Sequence, residues 1–332
     1  MPPLPPASRS WRIHRLGTPR QALRLAHRPR RAPGAGEVQV RVDAVGLNHP
    51  DLLLCAGRYQ ERPELPFSPG YEAAGTVVEA GTGSAVRAGE RVIVVPELPD
   101  GAMQEHLTVT EAQVYPVPDA MPVATAAVLH IAYTTAHVAL HRRASIAAGQ
   151  TLLVTGGAGG VGSAVIQLGK AAGAHVVAAA TGPAKTAACL AFGANAAIDL
   201  STQNVVDQVR ELTGGRGADI VVDVVGGELF QQLGGCVSFE GRIVTIGFTS
   251  GTIPAIKINR LLLGNYTVSG LHLSLYRRQN PALLRRIHGE LVSLERDGVI
   301  APAIRQFPFE QAPDALAVLA RREVIGRVVL RC

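Results

Sequence analysis

Three glycines spaced Gly157-x-Gly159-x-x-Gly162 stand between the apolar run TLLVT (151–155) and an amphipathic stretch, VGSAVIQLGKAAG (161–173). Strand, glycine turn and helix in that order suit a dinucleotide. The first glycine permits a tight turn, the second lets backbone approach a pyrophosphate, the third lets helix and strand close together, and helix N–H groups face the phosphates. Gly157, Gly159, Gly160, Val161 and Gly162 are therefore the expected phosphate-binding residues; a turn that only packs is the alternative. An acid that would accept the ribose 2′-hydroxyl is expected about 20 positions on, at the end of the second strand. That strand, AHVVAAA (174–180), is followed by Thr181 and Gly182, and the first acid after Gly162 is Asp199. Lys185 comes a few residues later, one of only three lysines among 32 lysines and arginines. As a point charge it suits a 2′-phosphate, so the expected coenzyme is NADPH; a solvated lysine at a helix start is the plainer reading. His137 and His141 have helical i,i+4 spacing but lack the glutamate of an HExxH motif, and Cys55, Cys189, Cys236 and Cys332 form no close pair. No metal site is expected, and a reducing, cytoplasmic compartment is.

Such residues need a sheet to hold them. From about residue 125 the chain repeats apolar strand, glycine turn and helix, through TLLVT, AHVVAAA, DIVVDVVGG and GRIVTIGF. Near-continuous Val/Ile/Leu runs alternating with helices imply a doubly wound parallel sheet covered on both faces. The first third reads instead as short strands between Pro and Gly clusters: WRIHRL, EVQVRVDAVG, AAGTVVEAG and RVIVVP. The expected organisation is a β-rich catalytic domain over 1–124, a nucleotide-binding Rossmann domain over 125–268, and a return to the first domain over 269–332.

At 332 residues, 47% hydrophobic and 17% charged, the chain has the make-up of two globular domains and not of a disordered, collagen-like or coiled-coil protein. The net charge is +6, but with 4% aromatic residues stacking platforms are scarce, so a nucleic-acid partner is not favoured. Two uncharged stretches, 120–141 and 151–169, raise the question of a membrane. The first carries Pro122, His130, Tyr133 and His137 and the second is split by glycines, so neither is read as spanning. The N-terminal segment has no acid before Glu37 and opens on a Pro-rich run, faintly like a transit peptide; WRIHRLG within it already reads as a strand.

The whole chain resembles the medium-chain dehydrogenase/reductase superfamily, and within it the zinc-free quinone oxidoreductases, the zeta-crystallin-like branch. The segments that carry the resemblance are VGLNHPDLLLCAGRY (45–59), LPFSPGYEAAGTVVEAG (65–81), GAGGVG (157–162), TGGRGADIVVDVVGG (213–227) and GRIVTIGF (241–248). It implies a GroES-like fold for the β-rich domain. Asn48 and Tyr71 stand where zinc-dependent relatives have ligands, a third ligand position falls near Ile131, and 95–111 lacks the cysteines of their structural zinc lobe.

Without zinc as a Lewis acid, acceptors that spread charge onto an enolate or phenolate oxygen are favoured. The resemblance therefore implies hydride transfer from NADPH to a small quinone or α,β-unsaturated carbonyl. Asn48 is expected to donate its amide N–H to that oxygen or to hold the nicotinamide and ribose, unless it only serves a loop turn. Tyr59 is expected to protonate or stabilise the enolate, or else to pack against the nicotinamide pocket, and Asp51 to orient the loop. Further cofactor contacts implied by the resemblance are Thr135, Thr181, Lys185, Val225, Gly247, Phe248 and Arg327. A homodimer paired through the strand near NYTVSGLHL is also implied. Two other readings stay open: a non-catalytic NADPH-binding protein, crystallin-like or binding RNA through Arg28, Arg30 and Arg31, and a zinc-independent enoyl reductase of a biosynthetic pathway.

Overall fold

The computed structural model describes residues 7–332; the Pro-rich first six lie outside the described residues. The chain forms two compact units, one taking the chain up to Ile131 and again from Pro302, the other Ala132–Ala301.

The first unit begins with an antiparallel ribbon of β1 (Ala7–Ile13) and β2 (Leu23–Pro29). It continues with β3 (Glu37–Leu47), β4 (Glu72–Ala80), β5 (Arg91–Val94), β6 (His106–Thr110) and β7 (Val114–Pro116). The short helix His49–Cys55 sits between β3 and β4. Burial along β3 alternates around Arg41, which is exposed between the buried Val40 and Val42, as a sheet with one wet face requires.

In the second unit β8 (Thr151–Thr155), β9 (His175–Ala180), β10 (Ala196–Asp199), β11 (Ala218–Asp223), β12 (Val237–Thr245) and β13 (Thr267–Gly270) form one parallel sheet in the order β10-β9-β8-β11-β12-β13. The order reverses between β8 and β11, which makes the carboxyl ends of those two strands the switch point where a ligand is expected. Leu152, Leu153 and Val154 are all fully buried although successive side chains point to opposite faces, so both faces of the sheet are covered. The core beneath it gathers Leu153, Val177, Val221, Phe230, Leu233 and Ile243.

The chain then re-enters the first unit with β14 (Ile304–Pro308) and β15 (Arg327–Arg331), giving a seven-stranded sheet ordered β14-β15-β3-β4-β5-β7 with β6 on β3. The return comes at Pro302 and not at 269. The 269–301 segment is held in the second unit because the helix Pro281–Arg296 buries an apolar face, Leu283, Leu284, Ile287 and Leu291. The other boundary falls at Ile131, past 124, inside the helix Val123–His137. That helix continues as a π-helical turn, Val138–Arg143, which no sequence pattern announced. The stretch Val123–Arg143 is long and apolar enough to cross a membrane by composition, yet most of it is buried within the protein, as in a core helix.

Candidate active site

In the second unit the glycine turn has the expected anatomy with one correction. The left-handed residue is Gly156, φ +62°, one position before the motif, and its carbonyl accepts the Gly159 N–H at 2.9 Å. Gly157 does not make the turn; it packs, and a Cβ there would come within 2.9 Å of Cys189 Sγ and 3.0 Å of Ala178 Cβ. Gly162 is the tightest of the three, since a Cβ would lie 2.2 Å from the Gly156 carbonyl oxygen. At Gly159 a Cβ would meet only that same oxygen, at 3.3 Å, a close contact but far less severe than the one at Gly162. Gly159, Gly160 and Val161 are half-exposed, and the first turn of the helix Gly160–Ala171 carries no acid. Its leading N–H groups have no intrahelical carbonyl to bond, which with the helix dipole makes a fitting cradle for a pyrophosphate.

Behind the turn lies a pair the sequence reading missed. Thr155 and Asp223 end β8 and β11, both fully buried, and the Thr155 hydroxyl donates to Asp223 Oδ1 at 2.5 Å. The carboxylate also accepts from the N–H groups of Val225 (3.1 Å) and Gly226 (3.0 Å), and Thr155 Oγ1 accepts from Val224 N–H (3.1 Å). Burial raises the Asp223 pKa, and these hydrogen bonds oppose the rise. The available signal was an acid closing the apolar run Ile220–Val222 in DIVVD. The loop after β12 lies along this brace: Thr249 N–H donates to Val224 O and Ser250 N–H to Val225 O. Val225, Gly247 and Phe248 are thus brought together, all half-exposed. Thr181, exposed, and Lys185, half-buried, follow the end of β9, while Thr135 is buried in the helix Val123–His137.

The first unit holds a second buried polar group, assembled from four distant parts of the chain. Gly46 lets β3 approach the helix Val123–His137, since a Cβ there would lie 2.0 Å from Ala127 O. The chain then turns at Asn48, the N-cap of the helix His49–Cys55, whose N–H donates to Asp51 Oδ2 at 2.8 Å. Asn48 Nδ2 donates to Gly46 O (3.2 Å) and to Glu72 Oε1 (3.1 Å), and Asn48 Oδ1 accepts from Arg327 Nη1 (3.0 Å). Arg327 Nη2 donates to Glu72 Oε1, and Glu72 Oε2 accepts the Ile131 N–H at 2.8 Å. Gly70 N–H completes Asp51 through Oδ1 at 3.1 Å.

Asn48, Asp51, Glu72 and Arg327 are all at least nine-tenths buried. Both amide hydrogens of Asn48, which the sequence reading offered to a substrate oxygen, are engaged by Gly46 and Glu72. Arg327, expected against the cofactor, bonds to Glu72 and Asn48, and its Nε is buried without a partner. Glu72 was missed, although an acid inside GYEAAG is itself a signal of a satisfied buried charge. Burial pushes its carboxyl up, with Arg327 opposing; burial carries Asp51 to about 7 against the two backbone N–H groups it accepts.

Asn48, Tyr71 and Ile131, far apart in sequence, meet around Glu72, two through hydrogen bonds to it and Tyr71 as its neighbour in the chain. An engaged amide, an alkyl group and a phenol whose pKa burial raises are not a zinc donor set. Among the described residues no three His, Cys, Asp or Glu side chains come together as a metal site. Tyr59, half-buried, meets Tyr71 edge to face with ring centres 5.8 Å apart, and Tyr71 O–H reaches Glu61 at 3.5 Å. His137 bonds to Glu290 at 2.8 Å and stacks near His141. In the basic arm, Arg28 pairs with Asp100 and Arg31 with Glu37, which neutralises part of its charge.

Comparison with known proteins agrees with both units. Residues 34–119 match the alcohol dehydrogenase GroES-like domain and 160–289 the zinc-binding dehydrogenase model. The chain is 37% identical over 297 residues to quinone oxidoreductase-like protein 2 of Bos taurus, covering 89% of this chain and 84% of the relative. Among solved structures, Pseudomonas syringae quinone oxidoreductase superposes with a TM-score of 0.92 at 29% identity, covering 98% of this chain and all of that one. Escherichia coli quinone oxidoreductase, solved in complex with NADPH, gives 0.92 at 27% identity over 98% of this chain and all of that one. Sequence, sheet order and the residues around Glu72 converge on one conclusion: the chain belongs to the quinone oxidoreductase branch of the medium-chain dehydrogenase/reductase superfamily.

Proposed function

We propose that the protein is a zinc-independent, NADPH-dependent reductase of a quinone or an α,β-unsaturated carbonyl. The observation that carries the reading is that one chain holds both an acid-free glycine turn at a parallel-sheet switch point and, in its other unit, an Asn48–Tyr71–Ile131 set that offers a metal no suitable donors. When bound, NADPH supplies a hydride. The N–H groups of Gly160, Val161 and Gly162 hold its pyrophosphate, Thr181 and Lys185 its 2′-phosphate end, and Val225, Gly247 and Phe248 the far side of the turn. Tyr59 is the phenol assigned to donate to the oxygen on which the acceptor's charge collects, with Tyr71 restricting its ring. Asn48 and Arg327 act through the Glu72 network and not as substrate donors.

Support for a homodimer comes from the open edge of β13. In the strand and helix that precede β13 in the chain, Phe239, Ile258, Leu262 and Leu263 are exposed apolar side chains, of the type that interfaces cover. Four free thiols, three of them buried, support a reducing, cytoplasmic setting.

The test is turnover by the purified protein with NADPH or NADH and a panel of 1,4-benzoquinone, 9,10-phenanthrenequinone and 2-alkenals, before and after chelation. Loss of nicotinamide absorbance with at least one acceptor, unaffected by chelator, is expected. Retained NADPH binding with no turnover of any acceptor would favour the non-catalytic reading.

A further inference from the structure

The sequence leaves the end of the second strand without an acid, yet the fold supplies one from the next strand. β9 and β10 run parallel with Ala180 opposite Asp199, and the Leu200 N–H continues the pairing onto Ala180 O at 2.8 Å. Asp199 Oδ1 reaches across to the loop after β9 and accepts the Gly182 N–H at 2.8 Å, together with the N–H (2.9 Å) and O–H (2.6 Å) of Ser201. Gly182 is the N-cap of the helix Pro183–Ala191, in whose first turn Lys185 stands. The charge of Asp199 is thus fixed against the backbone of the loop that carries Thr181 and Lys185. All three hydrogen bonds use Oδ1, which leaves Oδ2 with no hydrogen bond among the described residues. The Ser201 and Gly182 bonds hold the carboxyl below the usual carboxylate range, so it stays ionised at neutral pH.

The geometry points to Asp199 as a specificity-determining residue that opposes Lys185 at the ribose 2′ position. The assignment rests on the NADPH reading above. The end of the second strand is where a parallel nucleotide-binding sheet reads the 2′ group, and an acid there accepts from a 2′-hydroxyl and repels a 2′-phosphate. Here the acid arrives one strand over, with Oδ2 available to a hydroxyl donor, while Lys185 favours the phosphate. The two signs therefore converge on one loop, Lys185 following it in the chain and Asp199 bonded to it from the next strand, and the protein discriminates only modestly between NADPH and NADH.

Asp199→Asn tests this, because the amide oxygen keeps the Gly182 bond and only the charge is lost. Dissociation constants of both coenzymes are measured by nicotinamide fluorescence for the wild type, Asp199→Asn and Asp199→Ala, with circular dichroism to confirm folding. In Asp199→Asn the preference for NADPH over NADH is expected to rise about tenfold, the scale of one unit charge a few ångströms away under the full screening of water. Asp199→Ala loses the loop bond as well, so both affinities weaken while the ratio still rises. A ratio within twofold of the wild type in both variants, or a falling ratio in either, overturns the assignment and leaves the NADPH reading standing. A wild type that binds neither coenzyme overturns both.

Discussion

The two units solve the burial of polar groups in opposite ways. In the second, the glycine turn depends on missing atoms: Gly162 leaves room for the Gly156 carbonyl, and the charge behind it is one carboxylate satisfied by the Thr155 hydroxyl and neighbouring backbone. In the first, Glu72, Arg327, Asn48 and Asp51 form a charged network drawn from chain positions as much as 279 residues apart. The turn is held by shape and the network by charge pairing. The two should therefore fail differently, one by steric crowding and the other by leaving a buried ion alone.

The largest effect is expected at Glu72. Glu72→Ala leaves the Arg327 guanidinium buried without its counter-charge, at a cost of about 3–5 kcal/mol, visible as a lower urea midpoint. The double variant Glu72→Leu with Arg327→Met removes both charges and should recover most of that loss. A single variant no worse than an exposed carboxylate replacement would break the contrast. Gly162→Ala should cost roughly 1–3 kcal/mol through overpacking and abolish NADPH binding. Gly159→Ala, where the Cβ has more room, should weaken binding with little change in stability; equal stability losses would show that both glycines only pack.

Asp51 sharpens the comparison through pH. Its folded pKa of about 7 lies above the ordinary carboxylate value near 3.9, so between these values the folded chain binds the extra proton. Stability should therefore be unpenalised below about pH 4 and fall as pH rises to about 7, by at most ~1.4 kcal/mol per unit. Asp51→Asn should flatten that slope in urea titrations, and an unchanged slope would place the titration elsewhere. The smallest effect is expected at Lys185. Lys185→Ala should raise the NADPH dissociation constant about tenfold, leave NADH within twofold, and spare stability.

The same contrast explains what the sequence made legible. The parallel sheet, its glycine turn and the helix after it are local patterns, so TLLVT-GGAGGVG and AHVVAAA read almost residue for residue onto β8, the turn and β9. Gly157 was misread because spacing cannot tell a left-handed turn residue from one that packs; Gly156 carries the positive φ. The Glu72 network was not legible, since nothing local in GYEAAG says that Arg327 and Ile131 will meet it. Asp199 escaped for a related reason. The expectation followed the chain to the end of its own strand, whereas the sheet brings the acid in from the neighbour. The late return at Pro302 depends on where the apolar face of Pro281–Arg296 finds a partner, which periodicity alone does not fix.

The most direct test is a crystal structure of the protein grown with NADPH. The pyrophosphate is expected on the N–H groups of Gly160, Val161 and Gly162, with no metal ion held by Asn48 and Tyr71. A coenzyme bound away from that turn, or an ion coordinated at those two side chains, would contradict it.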